Sequence, residues 1–141
     1  MNEAPPPPPP LPGYTIYDPI DPFENLAGPF HWRRREDGSH HFVVQALARH
    51  CNRHGIVHGG LMMTMIDLAM VAASKKDWEE AVVTVSQNVE FVAAGREGEL
   101  VEAVGECTRR GGSIAFVRGQ VFVGDRVLMN ASAVLKPLQA R

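Results

Sequence analysis

A carboxylate set in an apolar run, a few residues after a pair of glycines, is the arrangement in this sequence best suited to chemistry. Residues 61–73 read LMMTMIDLAMVAA, where only Thr64 and Asp67 are polar. They lie three apart, so any helix through them puts both on one side. A helix that is apolar all round has no solvent face and is expected to be wrapped by other structure. A charge inside such a wrap is costly unless something uses it. Just upstream runs Asn52-Arg53-His54-Gly55-Ile56-Val57-His58-Gly59-Gly60. Its paired glycines would bring bare backbone N–H groups to the positive end of the helix, where an oxyanion or carbonyl oxygen is naturally held. Together these residues point to an active site built around a helix N-terminus.

The elements that must position this site can be read around it. Asp21-Pro22 has a capping residue followed by proline at the first helical position, which predicts a short helix ending at Gly28. Phe30 to Glu36 and His40 to Leu47 read as strands joined at the Asp37-Gly38 turn. One long helix is expected from Gly59 to Lys75, then strands over Ala81 to Val92, Gly98 to Thr108, Ser113 to Val123 and Arg126 to Lys136. Turn residues separate them, and Val101, Ala103, Gly105, Cys107 and Ala115, Val117, Gly119, Val121 alternate as half-buried strands do. The expected fold is α+β: a hairpin, one buried helix, then a meander of four antiparallel strands. Such a sheet buries the helix only by curling round it.

Composition fits one small domain. The chain has 141 residues, 45% of them hydrophobic, enough for a single core. Residues 4–12 read APPPPPPLP, which must be extended and cannot join that core. A flexible arm over residues 1–13 and a domain over 14–141 follow. A net charge of −2 with only short basic clusters argues against nucleic acid as a partner. Two cysteines, Cys51 and Cys107, make no disulfide framework. No leader pattern or membrane-length apolar run is evident, so a cytoplasmic protein without a membrane partner is expected. His50, His54 and His58 would share a face on a helix, but Gly55 and Ile56-Val57 argue for a loop and no carboxylate completes a set; no metal is expected.

The order of elements, with Asn52, Gly55, His58, Gly59, Gly60 and Asp67 at these spacings, resembles the hotdog-fold acyl-CoA thioesterases, and more narrowly their phenylacetate-pathway (PaaI-like) branch. The resemblance runs from about Pro22 to Pro137. It implies a curved antiparallel sheet around one central helix, and hydrolysis of an acyl-CoA, with coenzyme A part of the substrate and no cofactor. It makes Asp67 the catalytic carboxylate, as base or nucleophile, and gives the Gly59 N–H to the thioester oxygen. Asn52 would orient water or substrate, and His58 would stand beside the acyl carbonyl. Thr84 would hold the attacking water, with Ser86, expected on the same strand face, as its competitor. Gly55, Gly60, Met63 and Thr64 would line the substrate. Arg109, Arg110 and Arg118 would flank the pantetheine channel, Arg110 within reach of phosphates. A homodimer with shared sites, assembled as a dimer of dimers into a homotetramer, is also implied. The alternative is a non-catalytic acyl-CoA-binding sensor, against which the retained Asp67 weighs. Met62, Met63, Met65 and Met70 suit an adaptable pocket for aryl or medium-chain acyl groups.

Overall fold

Local signals set the first elements. In the computed structural model, which describes residues 11–75 and 81–138, Asp21 caps helix α1 (Pro22–Ala27) by accepting the Glu24 N–H at 2.8 Å. Pro22 stands in the first turn, where its missing N–H costs nothing, and the helix ends at Gly28. A two-residue strand, β1 (Thr15–Ile16), precedes it. The hairpin of β2 (His31–Arg34) and β3 (His40–Gln45) follows, closed by a turn in which Gly38 has φ +85° and Ser39 binds the Asp37 carboxylate. Leu11 lies in a recess with Gly28, Val44 and His50, so packing begins ahead of Tyr14.

The long helix and four strands follow as α2 (Gly59–Ser74), β4 (Val82–Phe91), β5 (Leu100–Arg110), β6 (Ala115–Val123) and β7 (Arg126–Pro137). All seven strands form one antiparallel sheet in the order β1-β2-β3-β5-β6-β7-β4. The expected meander holds for β5, β6 and β7, but β4 lies at the far edge and pairs with β7, while β5 pairs with β3. The reason is length. A helix of 16 residues is about 24 Å long, and four strand spacings from β3 to β4 come to roughly 19 Å. Lying across the sheet, α2 carries the chain from one side to the other.

The sheet bends round α2, whose Met65, Ile66 and Met70 are fully buried with Phe42, Val101, Leu128, Met129 and Leu135. Its closest approach is at Gly105 and Gly119, paired across β5 and β6. A Cβ on Gly105 would stand 2.5 Å from the Ala69 carbonyl oxygen, and one on Gly119 2.5 Å from Ile66 Cδ1. The alternation read from sequence therefore passes, on both strands, through a glycine that makes room for the helix: Gly105 for its backbone and Gly119 for the Ile66 side chain.

One expectation fails. The helix is not wrapped on every side, because a sheet covers only one. Gly60 and Met63 are exposed and Thr64, Asp67 and Val71 partly so, an i, i+3, i+4, i+7, i+11 stripe along the side away from the sheet. Asp67 is thus at the surface of the single chain rather than inside it. Both cysteines are free, and among the described residues no helix is long and apolar enough to cross a membrane.

Gly105→Ala tests the helix contact. Because the added carbon meets backbone rather than a movable side-chain tip, the loss should be about 2–4 kcal/mol. Gly112→Ala, with nothing within 4 Å of the new carbon, should leave the denaturant midpoint almost unchanged. Equal midpoints for the two variants would disprove the contact.

Candidate active site

The loop before α2 is built around Asn52. Its side-chain oxygen accepts the His54 N–H at 2.9 Å and the Ile56 N–H at 3.2 Å, while Gly55, at φ +73°, closes the turn by donating to the Asn52 carbonyl. Two backbone donors settle which end of the amide is oxygen and use both its lone pairs. The exposed amide of Asn52 can then only donate. His50 anchors the loop: it is buried, its Nδ1 accepts the Leu47 N–H and its Nε2 faces the Gly28 carbonyl. Burial pushes its pKa below the usual histidine value, which suits the neutral ring this pairing requires. His54 is exposed and His58 enters the helix cap, so the three histidines have separate surroundings.

At the start of α2 the backbone donors are nearly all used. His58 is the N-cap, its Nδ1 accepting the Gly60 N–H at 2.9 Å, and its carbonyl receives the Leu61 and Met62 N–H groups. Among the described residues, the Gly59 N–H alone in this first turn has no acceptor. With Nδ1 accepting, the neutral His58 ring carries its proton on the exposed Nε2. Gly59, His58 and Asn52 therefore offer three donors and no free ring or amide acceptor. The glycines are needed for different reasons. A Cβ on Gly59 would press on the Phe91 ring at 3.0 Å, and one on Gly60 would stand 3.1 Å from His58 Nδ1 and disturb the cap.

Further along the helix the polarity reverses. The Thr84 hydroxyl donates to Asp67 Oδ1 at 2.5 Å, which pins the carboxylate and leaves Oδ2 for another partner. Thr84 comes to this face because it pairs with the inward-facing Leu135. A β-bulge between Thr84 and Ser86 then inserts Val85, so that Ser86 pairs with Val134. This corrects the expectation from alternation: Ser86 is turned to the opposite face, where it lines a groove with Asn88 and Thr108. Gln87 takes the inward position instead, its amide reaching the Met63 carbonyl at 3.5 Å. Nothing in the sequence signals the bulge.

Asp67, Met63, Thr64 and Gln87 share a recess of about 370 Å³ with Phe23 and Glu24 of α1. The Thr64 hydroxyl is spent on the Gly60 carbonyl at 2.9 Å. Glu24 was not foreseen as a site residue, since an acidic residue three after the cap reads as part of a capping box. That box is incomplete. The Asp21 N–H goes to the Asp18 carbonyl, and Glu24 Oε2 is buried with no hydrogen-bond partner among the described residues. Burial, followed by the charges of Asp21, Asp18 and Asp67, raises the Glu24 pKa to about 7, with Lys75 opposing.

Two groups of expected site residues are therefore separate in the single chain. Gly59 and Asp67 lie eight residues apart on one helix, roughly 12 Å. Arg110 is farther still, at the other end of α2, where its guanidinium donates to the Ser74 carbonyl and so closes the helix C-terminus. Arg118 pairs with Glu106 at 2.9 Å on the exposed sheet surface.

Comparison with known proteins bears on what such an arrangement serves. The thioesterase superfamily model matches residues 54–130, from the Asn52 turn through α2 into β7. A Pseudomonas aeruginosa protein, PA0474, which carries the name of an esterase, is 30% identical over 117 residues, covering 80% of this chain and 86% of its own. Among solved structures, the Bacillus halodurans protein BH2602 with CoA superposes with a TM-score of 0.77 at 22% identity, over 89% of this chain and 83% of that one. The PaaI protein of the Escherichia coli phenylacetic acid degradation operon gives 0.76 at 15% identity, over 86% and 87%. These two likenesses establish the hotdog fold. With the family match spanning more than half of its length and PA0474 matched along most of both chains, this protein belongs to the thioesterase superfamily.

Proposed function

We propose that the protein is an acyl-CoA thioesterase, of the PaaI-like branch, that hydrolyses aryl or medium-chain acyl-CoA at sites shared between two copies of the chain. The observation that carries the reading is the separation just described. A thioester carbon and its oxygen are bonded neighbours, so a base and an oxyanion donor roughly 12 Å apart cannot serve one substrate. A two-fold partner can bring the donor end of one helix to the Asp67 end of the other. Two further features support pairing: the uncovered α2 stripe, and the edge strand β4 with Val83, Val85 and Phe91 exposed.

In this reading Asp67 acts as a base on water. Thr84 keeps Oδ1, and Oδ2 takes the proton as the water oxygen attacks the thioester carbon. The carbonyl oxygen becomes an anion held by Gly59 of the partner subunit, at the positive end of its helix, and by the donor amide of Asn52 of the partner subunit. Collapse of the tetrahedral intermediate expels coenzyme A as thiolate, a leaving group that needs little acid help, and releases the carboxylic acid.

A panel of acyl-CoA thioesters with free-thiol detection tests the activity. Tight binding of acyl-CoA without turnover would move the protein to the sensor class. Asp67→Asn, nearly isosteric, should keep affinity and lower kcat by at least roughly 10²-fold; wild-type kcat in that variant would remove Asp67 from the mechanism.

The bulge separates the two hydroxyl candidates. Thr84→Ala should lower kcat by roughly 10-fold or more, while Ser86→Ala, on the opposite face, should stay within about twofold of wild type. The reverse ranking would overturn the assignment of Thr84.

Shared sites make one more demand. Asn52→Ala and Asp67→Asn homodimers should each be nearly inactive, yet co-expression should restore activity, because a heterodimer has one site with both lesions and one intact. Random pairing puts about half the dimers in that form, so recovery should approach roughly a quarter of wild type. Parental activity in a sample whose heterodimers are seen by native mass spectrometry would place the whole site in one chain.

A further inference from the structure

The recess beside Asp67 is acidic in a way hydrolysis alone does not require. Besides Asp67 its lining carries Asp21 and Glu24, and its apolar residues are Phe23, Met63 and Leu68. Asp18 stands close behind, its carboxylate oxygen within 4.8 Å of those of Asp21 and Glu24. Among the described residues, the charged groups acting on Glu24 are Asp21 and Asp18 before α1, Asp67 on α2, and Lys75 past the end of α2. Such a wall would repel the phosphates of coenzyme A, so the end of the substrate that enters it is the acyl group.

We propose, resting on the thioesterase reading, that this recess sorts acyl groups by charge with Glu24 as selector: uncharged acyl groups are accepted, acyl groups ending in a carboxylate are rejected, and rejection strengthens when Glu24 loses its proton. The geometry supplies the means. Glu24 lines the recess, and among the described residues its buried Oε2 has no hydrogen-bond partner. A second carboxylate brought beside it would be a like-charge neighbour in a recess whose charged lining residues, among those described, are all acidic. With its pKa raised to about 7 by burial and by the neighbouring carboxylates, Glu24 is largely neutral at pH 6 and largely ionised at pH 8. An uncharged chain offers no charge for Glu24 to repel and is indifferent to that change.

The experiment compares kcat/KM for hexanoyl-CoA and glutaryl-CoA, which are close in length and differ in a terminal carboxylate, between pH 6 and 8. Taking the ratio cancels whatever pH dependence hydrolysis and thiol release impose on both substrates alike. In the wild type hexanoyl-CoA should be preferred at both ends, and the preference should rise about three- to tenfold from pH 6 to pH 8, the effect of one added charge at short range in a partly solvated site. In Glu24→Gln the preference should be smaller at pH 8 and flat across the range. Misfolding is not a confounding cause. A carboxyl whose pKa rises on folding stabilises the fold below its unfolded value, and that contribution disappears as pH rises through about 7. Glutamine removes this loss, so the variant should melt at or above the wild-type temperature at pH 8. Equal use of the two substrates, a pH-independent ratio in the wild type, or the same pH slope in Glu24→Gln would each overturn the assignment while leaving the thioesterase reading intact. If no acyl-CoA is turned over, that reading fails, and the dissociation constants of the two thioesters read the same ratio and pH slope for the recess itself.

Discussion

The contact of α2 with two glycines in the sheet is the constraint from which the rest follows. Gly105 and Gly119 stand opposite one another on β5 and β6, and the helix backbone at Ala69 comes so near that a methyl group on Gly105 would overlap its carbonyl. That proximity sets the depth of the helix in the curve of the sheet, and it fixes the helix rotation by seating the backbone of Ala69 and Met70 against Gly105. With rotation fixed, Met65, Ile66 and Met70 point into the core and Met63, Thr64 and Asp67 point away. The exposure of the carboxylate is thus a consequence of packing on the far side of the same helix.

The same placement decides which strand meets Asp67. Because α2 spans the sheet, the chain emerges at the far edge, and β4 runs back alongside β7 past the uncovered stripe. A regular strand would offer Thr84 and Ser86 to that stripe together. The bulge offers Thr84 and Gln87 instead, and a hydroxyl 2.5 Å from Oδ1 holds the carboxylate in one orientation. Edge strands accommodate such an irregularity more readily than central ones, having one neighbour to satisfy.

Much of this was legible in the chain. Capping and turn residues gave α1 and the β2–β3 hairpin, and period-two alternation gave β5 and β6, because those features depend on residues a few positions apart. The segment from Asn52 to Asp67 was legible for a similar reason: the turn at Gly55, the cap at His58 and the bare Gly59 N–H are all local backbone chemistry. What was hidden depends on distant pairing. The Ser86 face turns on how Val85 fits against β7, the exposure of Asp67 on what the sheet leaves uncovered, and the role of Glu24 on α1 coming to rest beside α2. An apolar helix signals that it will be buried without saying by what.

The two halves of the candidate site differ in more than position. At the helix start every group left over from the local structure is a donor: the Gly59 N–H, the Asn52 amide whose oxygen is consumed by its own turn, and the His58 Nε2 whose other nitrogen caps Gly60. Two turns on, Asp67 and Glu24 have acceptor oxygens without a partner among the described residues. Neither half is complete for hydrolysis, which needs a base and an oxyanion donor within one substrate. A surface carrying donors at one end and acceptors at the other is, however, complementary to itself when turned through a two-fold axis, since each end then meets its opposite. In the proposed dimer the complementarity that would orient the pair is therefore the one that would assemble the catalytic groups, and a chain that failed to pair would lack the site altogether.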